Sequence, residues 1–168
     1  MSIREQLRQT PLFSSLPPVE IDVLAATLAP IDYPADGLIF YEGDPGDRMY
    51  IVLSGEVEVI KALGTDEERL LGSFAEGEIL GEMSLLEPDA NRSASARAKI
   101  PTQVLEMTRA DFEKLVRRYP PLMFEILHVL SARLRASDDA RIRDLEKKNM
   151  ELAIANAELK AAQERAGE

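Results

Sequence analysis

Gly81-Glu82-Met83-Ser84-Leu85-Leu86-Glu87-Pro88-Asp89-Ala90-Asn91-Arg92-Ser93-Ala94-Ser95 is the stretch on which the reading of this chain turns. A glycine opens a short apolar helical turn and a carboxylate follows at once. A loop intervenes, and one arginine then begins a strand of very small residues. The N-terminus of a helix offers free backbone N–H groups and partial positive charge, which suits a phosphate. An arginine beside it adds a planar fork of donors for the same oxygens. Ionised Glu82 can only accept hydrogen bonds, which suits hydroxyls such as those of a ribose. Phosphate donors beside a ribose acceptor point to a nucleotide.

Working outward, residues 31–108 consist of short apolar runs cut by Gly, Pro and Asp. Runs at 38–41, 49–53, 57–63, 69–74, 93–100 and 103–107 read as strands, and strands this short and evenly spaced belong to a sandwich or barrel. Asp36-Gly37, Gly43-Asp44-Pro45-Gly46, Ser54-Gly55 and Gly64-Thr65-Asp66 carry turn chemistry between them. Ahead of the strands, residues 2–9 and 18–28 read as helices. The second starts at Pro17-Pro18 and carries Val19, Val23, Leu24 and Leu28 at helical spacing. After the strands, Thr108-Arg109-Ala110-Asp111 resembles a capping box opening a helix with an apolar stripe of Phe112, Leu115 and Val116, and Tyr119-Pro120-Pro121 stops it.

From Pro121 no Gly or Pro occurs until Gly167, so one long helix is expected through about residue 162. Its far half has a heptad pattern, with Ile142, Asn149, Asn156 and Gln163 at a and Leu145, Leu152 and Leu159 at d. Leu at d with Asn at a favours a parallel two-stranded coiled coil, because paired Asn side chains satisfy each other in one register. Arg141 at g faces Glu146 at e of the partner. Leu127, Leu130 and Leu134 fall one position out of this frame, and Met150 and Ile154 lie off the seam. The expected organisation is N-terminal helices over 1–30, a β-domain with its following helix over 31–120, and a long helix over 121–168, with a coiled coil from about 138. A homodimer through 121–163 follows.

Composition limits the function classes. The 168 residues include no cysteine and one histidine, His128, which removes disulfides, thiolate chemistry and cysteine zinc sites. Jelly-roll metalloenzymes usually need two or three histidines, so no metal is expected. No Ser/His/Asp set or Walker-type loop is visible, so an enzyme is not expected. The net charge is −10, nearly all of it in residues 1–134. An acidic surface disfavours direct binding of nucleic acid or of an anionic membrane, so an anionic ligand needs a local, well-aimed positive site. No segment is apolar enough to span a bilayer, and Met1-Ser2-Ile3-Arg4-Glu5 lacks a signal-peptide core, so a cytoplasmic protein is expected.

Gly81-Glu82-Met83-Ser84-Leu85-Leu86 followed by Arg92-Ser93-Ala94 resembles the phosphate-binding cassette of cyclic-nucleotide-binding domains. The resemblance runs from about Pro11 to Ser137 and includes Gly43-Asp44, Tyr50-Ile51-Val52, Gly55-Glu56-Val57 and Gly77. It implies a mainly β fold, an eight-stranded jelly-roll-like β-barrel with helices at both ends. It also implies a ligand cradle of Gly81, Glu82, Met83, Ser84, Arg92, Ser93 and Ala94. In that cradle Arg92 clamps the cyclic phosphate and Glu82 accepts from the ribose 2′-hydroxyl. Val59 and Leu71 align with positions that flank the base, and Arg133 and Ser137 with positions that close over base or phosphate. Asp138 departs from the family's catabolite activator, which has a hydroxyl there. Ser93, after the cassette arginine, favours cAMP, with cGMP as the alternative. The implied function is a cyclic-nucleotide sensor that passes binding to a downstream domain or partner through its long helix, with Tyr119-Pro120-Pro121 as hinge. The other readings are a ligand-free dimerising scaffold of the same fold and a jelly-roll metalloenzyme.

Overall fold

Apolar residues on strands of two to seven residues give each sheet a face to bury, and the molecule buries these faces by stacking two sheets. In the computed structural model, which describes residues 1–87 and 89–166, the strands are β1 (Pro30–Tyr33), β2 (Leu38–Phe40), β3 (Arg48–Ser54), β4 (Glu56–Lys61), β5 (Arg69–Ala75), β6 (Ile79–Leu80), β7 (Ser95–Ala98) and β8 (Thr102–Thr108). One antiparallel sheet has the order β1-β8-β3-β6 and the other β2-β7-β4-β5. Tyr50, Val52, Leu80 and Val104 from the first sheet pack against Ile39, Val57 and Ala96 from the second, and this cluster is one part of the core. The expected barrel is therefore corrected to a β-sandwich with a jelly-roll-like course. Among the described residues no ladder joins the two sheets, so they do not close into a barrel.

The strand ends differ from expectation for local reasons. β4 stops at Lys61 because Ala62 takes a left-handed conformation (φ 53°) and accepts the Thr65 N–H. The 93–100 run pairs only from Ser95, since the Arg92 backbone is already bonded to the 43–44 turn: the Gly43 N–H donates to the Arg92 carbonyl (2.8 Å) and the Arg92 N–H to the Asp44 carbonyl (2.7 Å). The edge strand β1 begins with a proline, and β6 is two residues long. β1 alternates over only four residues, with Ile31 and Tyr33 packed against the core, and β6 is too short to alternate.

Among the described residues the helices are α1 (Ile3–Gln9), α2 (Pro18–Thr27), α3 (Met83–Leu86), α4 (Arg109–Arg118) and α5 (Leu122–Ala166), with a 3-10 turn at Pro11–Phe13. Ser2 and Glu5 form a reciprocal capping box at the start of α1. The inward face of α2 is Glu20, Ile21 and Leu24, while Val19 is 60% exposed. The buried stripe is rotated from the expected one because the Glu20 carboxylate turns in to pair with Arg118 at 3.1 Å. Thr108 caps α4, accepting from the Asp111 N–H (3.2 Å) and donating to its carboxylate (2.7 Å).

By internal packing the chain divides into two units, residues 1–126 and 127–168. Leu122 and Ile126, in the first turns of α5, are fully buried in the first unit. Beyond them α5 exposes Ile142, Leu145, Leu152 and Leu159. No helix among the described residues is long and apolar enough to cross a membrane.

The packing separates two kinds of leucine. Leu105→Ala empties a site with no solvent exposure and is expected to lower stability by about 2–5 kcal/mol. Leu70→Ala, on the exposed edge strand β5, should stay within about 0.5 kcal/mol of wild type. Urea melts of the two variants check both values.

Candidate functional site

The cassette is assembled by two segments zipped together. After β6 the chain turns at Gly81 (φ 76°), passes Glu82 and makes the single turn α3. It returns through Ala90 and Asn91, where the Ala90 carbonyl accepts the Gly46 N–H (3.0 Å) and Asn91 bridges to Pro45. Arg92 is thereby fixed on the 43–46 turn with its side chain directed back under α3.

Arg92 is 6% exposed. Its Nη1 donates to Ser84 Oγ (3.0 Å) and, at 3.4 Å, to the Gly81 carbonyl; its Nη2 donates to the Arg48 carbonyl (2.7 Å). The guanidinium carbon lies 4.2 Å from the Phe40 ring centre and 5.7 Å from that of Tyr50, and the two rings stack on each other. Every hydrogen-bonding partner is neutral. Among the described residues no carboxylate comes within ion-pair distance of Arg92, and its Nε is buried without an acceptor. Burial pulls the Arg92 pKa down, and Tyr50 and then Asp47 and Asp44 act in the opposite direction. An arginine in such a place stays charged at neutral pH. Desolvated charge without a counter-ion is unfavourable, and two aromatic faces offset only part of that. An anion with several acceptor oxygens would complete the site.

Two glycines make room for this arrangement. A Cβ on Gly81 would fall 2.6 Å from Arg92 Nη1, and one on Gly46 would fall 2.2 Å from Ser84 Oγ. Both positions therefore need hydrogen in place of a side chain.

The structure brings Gly81, Ser84 and Arg92 into direct contact. Glu82 is buried at the entry to α3, and Met83 is exposed. The α3 helix is one turn long, so its macrodipole is small. The Ser84 N–H is engaged by the Gly81 carbonyl (3.2 Å) and the Leu85 N–H by that of Glu82 (3.0 Å). Ser93 is exposed and Ala94 buried. The Ser93 carbonyl accepts from Lys61 Nζ (2.9 Å), which also bonds Glu42. Lys61, and after it the Ala62 N–H, hold the Glu42 carboxyl below its ordinary pKa. Val59 lies on β4, paired with Ala96 and Gly72 and packed against the core, while its neighbour Leu71 on β5 is 51% exposed. Arg133 and Ser137 lie on α5 in the second unit.

Sequence reasoning missed the seat of the arginine: Phe40, Tyr50 and the Arg48 carbonyl. It also missed Arg109, whose Nη2 donates to the carbonyls of Ser84, Gly46 and Glu87. Strand alternation could have turned Phe40 and Tyr50 inward, but nothing in the sequence placed them on the same guanidinium. Among the described residues no group of His, Asp and Glu side chains could hold a metal ion.

Burial, and after it Glu106, pushes the Tyr50 phenol up to about 12. A raised folded-state pKa gives stability that is whole below the unfolded value near 10 and is lost as pH rises through the folded one. Stability should therefore fall between about pH 10 and pH 12. Tyr50→Phe should flatten that fall in melts taken across the range; an unchanged slope would contradict the assignment.

The cyclic nucleotide-binding domain family matches residues 30–119. The chain is 38% identical over 132 residues to the cyclic AMP receptor protein of Thermus thermophilus, covering 79% of this chain and 61% of that protein. It is 40% identical over 110 residues to a cAMP-dependent protein kinase regulatory subunit of Emericella nidulans, covering 66% of this chain and 26% of that protein. The crystal structure of the Thermus thermophilus catabolite activator protein superposes with a TM-score of 0.68 at 39% identity, over 76% of this chain and 60% of that one. The chain thus spans less than two thirds of the length of these relatives, and it belongs to the cyclic nucleotide-binding domain family.

Proposed function

We propose that this chain is a sensor module for a cyclic purine mononucleotide, cAMP before cGMP. The observation that carries the reading is Arg92, a buried cation with neutral partners and a buried Nε donor that has no acceptor. A cyclic phosphate supplies the missing charge and acceptors without adding a carboxylate to the protein. Glu82 takes the ribose 2′-hydroxyl, Ser93 adds a hydroxyl donor, and Val59 and exposed Leu71 offer apolar faces to the base. Arg133 and Ser137 are assigned to base and phosphate from the long helix. The names of the two sequence relatives, a cyclic AMP receptor protein and a cAMP-dependent kinase regulatory subunit, favour adenine.

The second half of the proposal concerns α5. Ile142, Leu145, Leu152 and Leu159 present an apolar seam, each more than half exposed on the single chain, with Asn149 and Asn156 at heptad spacing between them. Such a stripe is covered by a partner in a stable helix of this length, and a parallel second copy satisfies both Asn positions. Ligand binding in the sandwich then reaches an output through a dimeric helix. It does so only to the extent that the ligand binds two helix arrangements with different affinity.

Titration calorimetry of refolded, nucleotide-free protein against cAMP and cGMP tests the ligand. Arg92→Ala should remain folded and bind about 10- to 150-fold more weakly, the equivalent of losing charge-assisted bonds worth about 1.5–3 kcal/mol. Wild-type affinity in that variant would remove Arg92 from the site. Binding of neither nucleotide by the wild type would leave a dimerising scaffold. For the helix, Leu152→Lys should convert the dimer into monomer in sedimentation equilibrium, and an unchanged mass would refute the seam.

A further inference from the structure

Glu42 and Lys61 form an ion pair at the rim of the cradle, and capture of a phosphate by Arg92 uses neither. Glu42 lies two residues beyond Phe40, one of the rings that seat Arg92, and Lys61 lies two residues beyond Val59 on β4. Lys61 Nζ donates to Glu42 Oε1 and to the carbonyl of Ser93, the residue after Arg92 (2.9 Å). Glu42 Oε2 accepts the N–H of left-handed Ala62 (2.9 Å), and the Glu42 N–H donates to Ser95 Oγ (2.9 Å). An exposed ion pair adds little to stability. Here two long side chains are nonetheless ordered against the end of β4 and the strand that follows the cassette. Their hydrogen-bonding capacity is not used up. An ammonium has three donors, and among the described residues Lys61 engages two of them. Each Glu42 oxygen accepts one bond and has a lone pair for a second. The Glu42 and Lys61 side chains are 33% and 42% exposed, so a bound molecule can reach both.

We propose that Glu42 and Lys61 are specificity-determining residues that read the carbon-6 edge of the purine and select adenine over guanine. This selection rests on the cyclic-nucleotide function proposed above, with the phosphate on Arg92 and the base on Val59 and Leu71. A base on that apolar shelf has the ion pair at the far end of β4, bonded to the residue that follows the phosphate clamp. A carboxylate only accepts and an ammonium only donates. Adenine offers the matching pair, an amino group on carbon 6 that donates, flanked by the ring nitrogens N1 and N7 that accept. Glu42 takes an amino hydrogen, and the third Lys61 donor takes the neighbouring ring nitrogen. Guanine carries an oxygen on carbon 6, so the Glu42 carboxylate meets lone pairs instead of a donor. Two acceptors facing each other leave both without a partner, which is how a polar site rejects the wrong ligand strongly. Val59 and Leu71 touch only the face of the ring and do not distinguish the two bases.

Titration calorimetry on the full chain tests the assignment with four probes: cAMP, cGMP, and two cAMP analogues that carry carbon in place of one ring nitrogen, 7-deaza-cAMP and 1-deaza-cAMP. The wild type is expected to bind cAMP more tightly than cGMP. One of the deaza analogues should bind about fivefold more weakly than cAMP, the effect of one hydrogen bond. In Lys61→Met, which keeps the apolar stem, that analogue and cAMP should bind alike. In Glu42→Gln the amide oxygen still serves the Ala62 N–H, while an NH2 donor replaces the other oxygen. The ratio of cAMP to cGMP affinity should then fall by about fivefold or more. A structural role for the pair would weaken all four ligands by the same factor, so ratios within one variant separate recognition from support. A deaza penalty absent from the wild type or unchanged in Lys61→Met would overturn the proposal. So would an unchanged ratio in Glu42→Gln, or a wild type that prefers cGMP. Absence of binding for all four probes refutes the cyclic-nucleotide function and this assignment with it, whereas binding with unchanged ratios refutes the assignment alone.

Discussion

The arrangement of the cassette depends on a charge kept away from water without an opposite charge beside it. Arg92 is bonded to a hydroxyl and two carbonyls and lies on the stacked rings of Phe40 and Tyr50. Protein interiors accept such a cation only where its donors are met, and the Arg92 Nε is not. The surrounding features follow from that demand. Gly81 and Gly46 lack side chains where a Cβ would strike the guanidinium or the serine that receives it. The 43–46 turn spends its backbone groups on fixing the Arg92 main chain, which is why β7 starts three residues later at Ser95.

The sandwich supplies the rigidity that such a site needs. Phe40 comes from β2 in one sheet and Tyr50 from β3 in the other, so the aromatic seat spans the gap between the sheets and is held by the core cluster beneath it. The acidic surface sets the context. With a net charge of −10, an anion meets attraction only where a cation is placed for it, and burial concentrates that attraction at one point. The cassette helix is a single turn, and its Ser84 is bonded by both Arg92 and Arg109.

Much of this was legible in the sequence, and the limits have physical causes. Gly81, Glu82, Ser84 and Arg92 were readable because an anion site needs these residue types at close spacing, and the structure brings three of them into contact. The helices were readable from caps and periodicity; on α2 the expected Leu24 and Leu28 are buried, but Val19 and Val23 are exposed and a paired Glu20 is turned in instead. The two-residue β6 is too short to carry a pattern, and the alternation of β1 spans only Pro30-Ile31-Asp32-Tyr33 at the proline-led edge of its sheet. Closure into a barrel could not be decided, since strand texture is the same whether sheets stack or close. Phe40, Tyr50 and Arg109 meet the cassette only through tertiary structure. Their partners are a ring face, a guanidinium and three backbone carbonyls, none of which has a sequence signature.

The most direct measurement is the Nε–H resonance of Arg92 in protein labelled with 15N at arginine, followed as cAMP is added. The account predicts that this one guanidinium shifts and becomes protected from exchange as its Nε gains a phosphate acceptor. Saturation with cAMP that leaves the Arg92 Nε–H unmoved would contradict it, because the buried charge would then have a purpose other than holding the ligand.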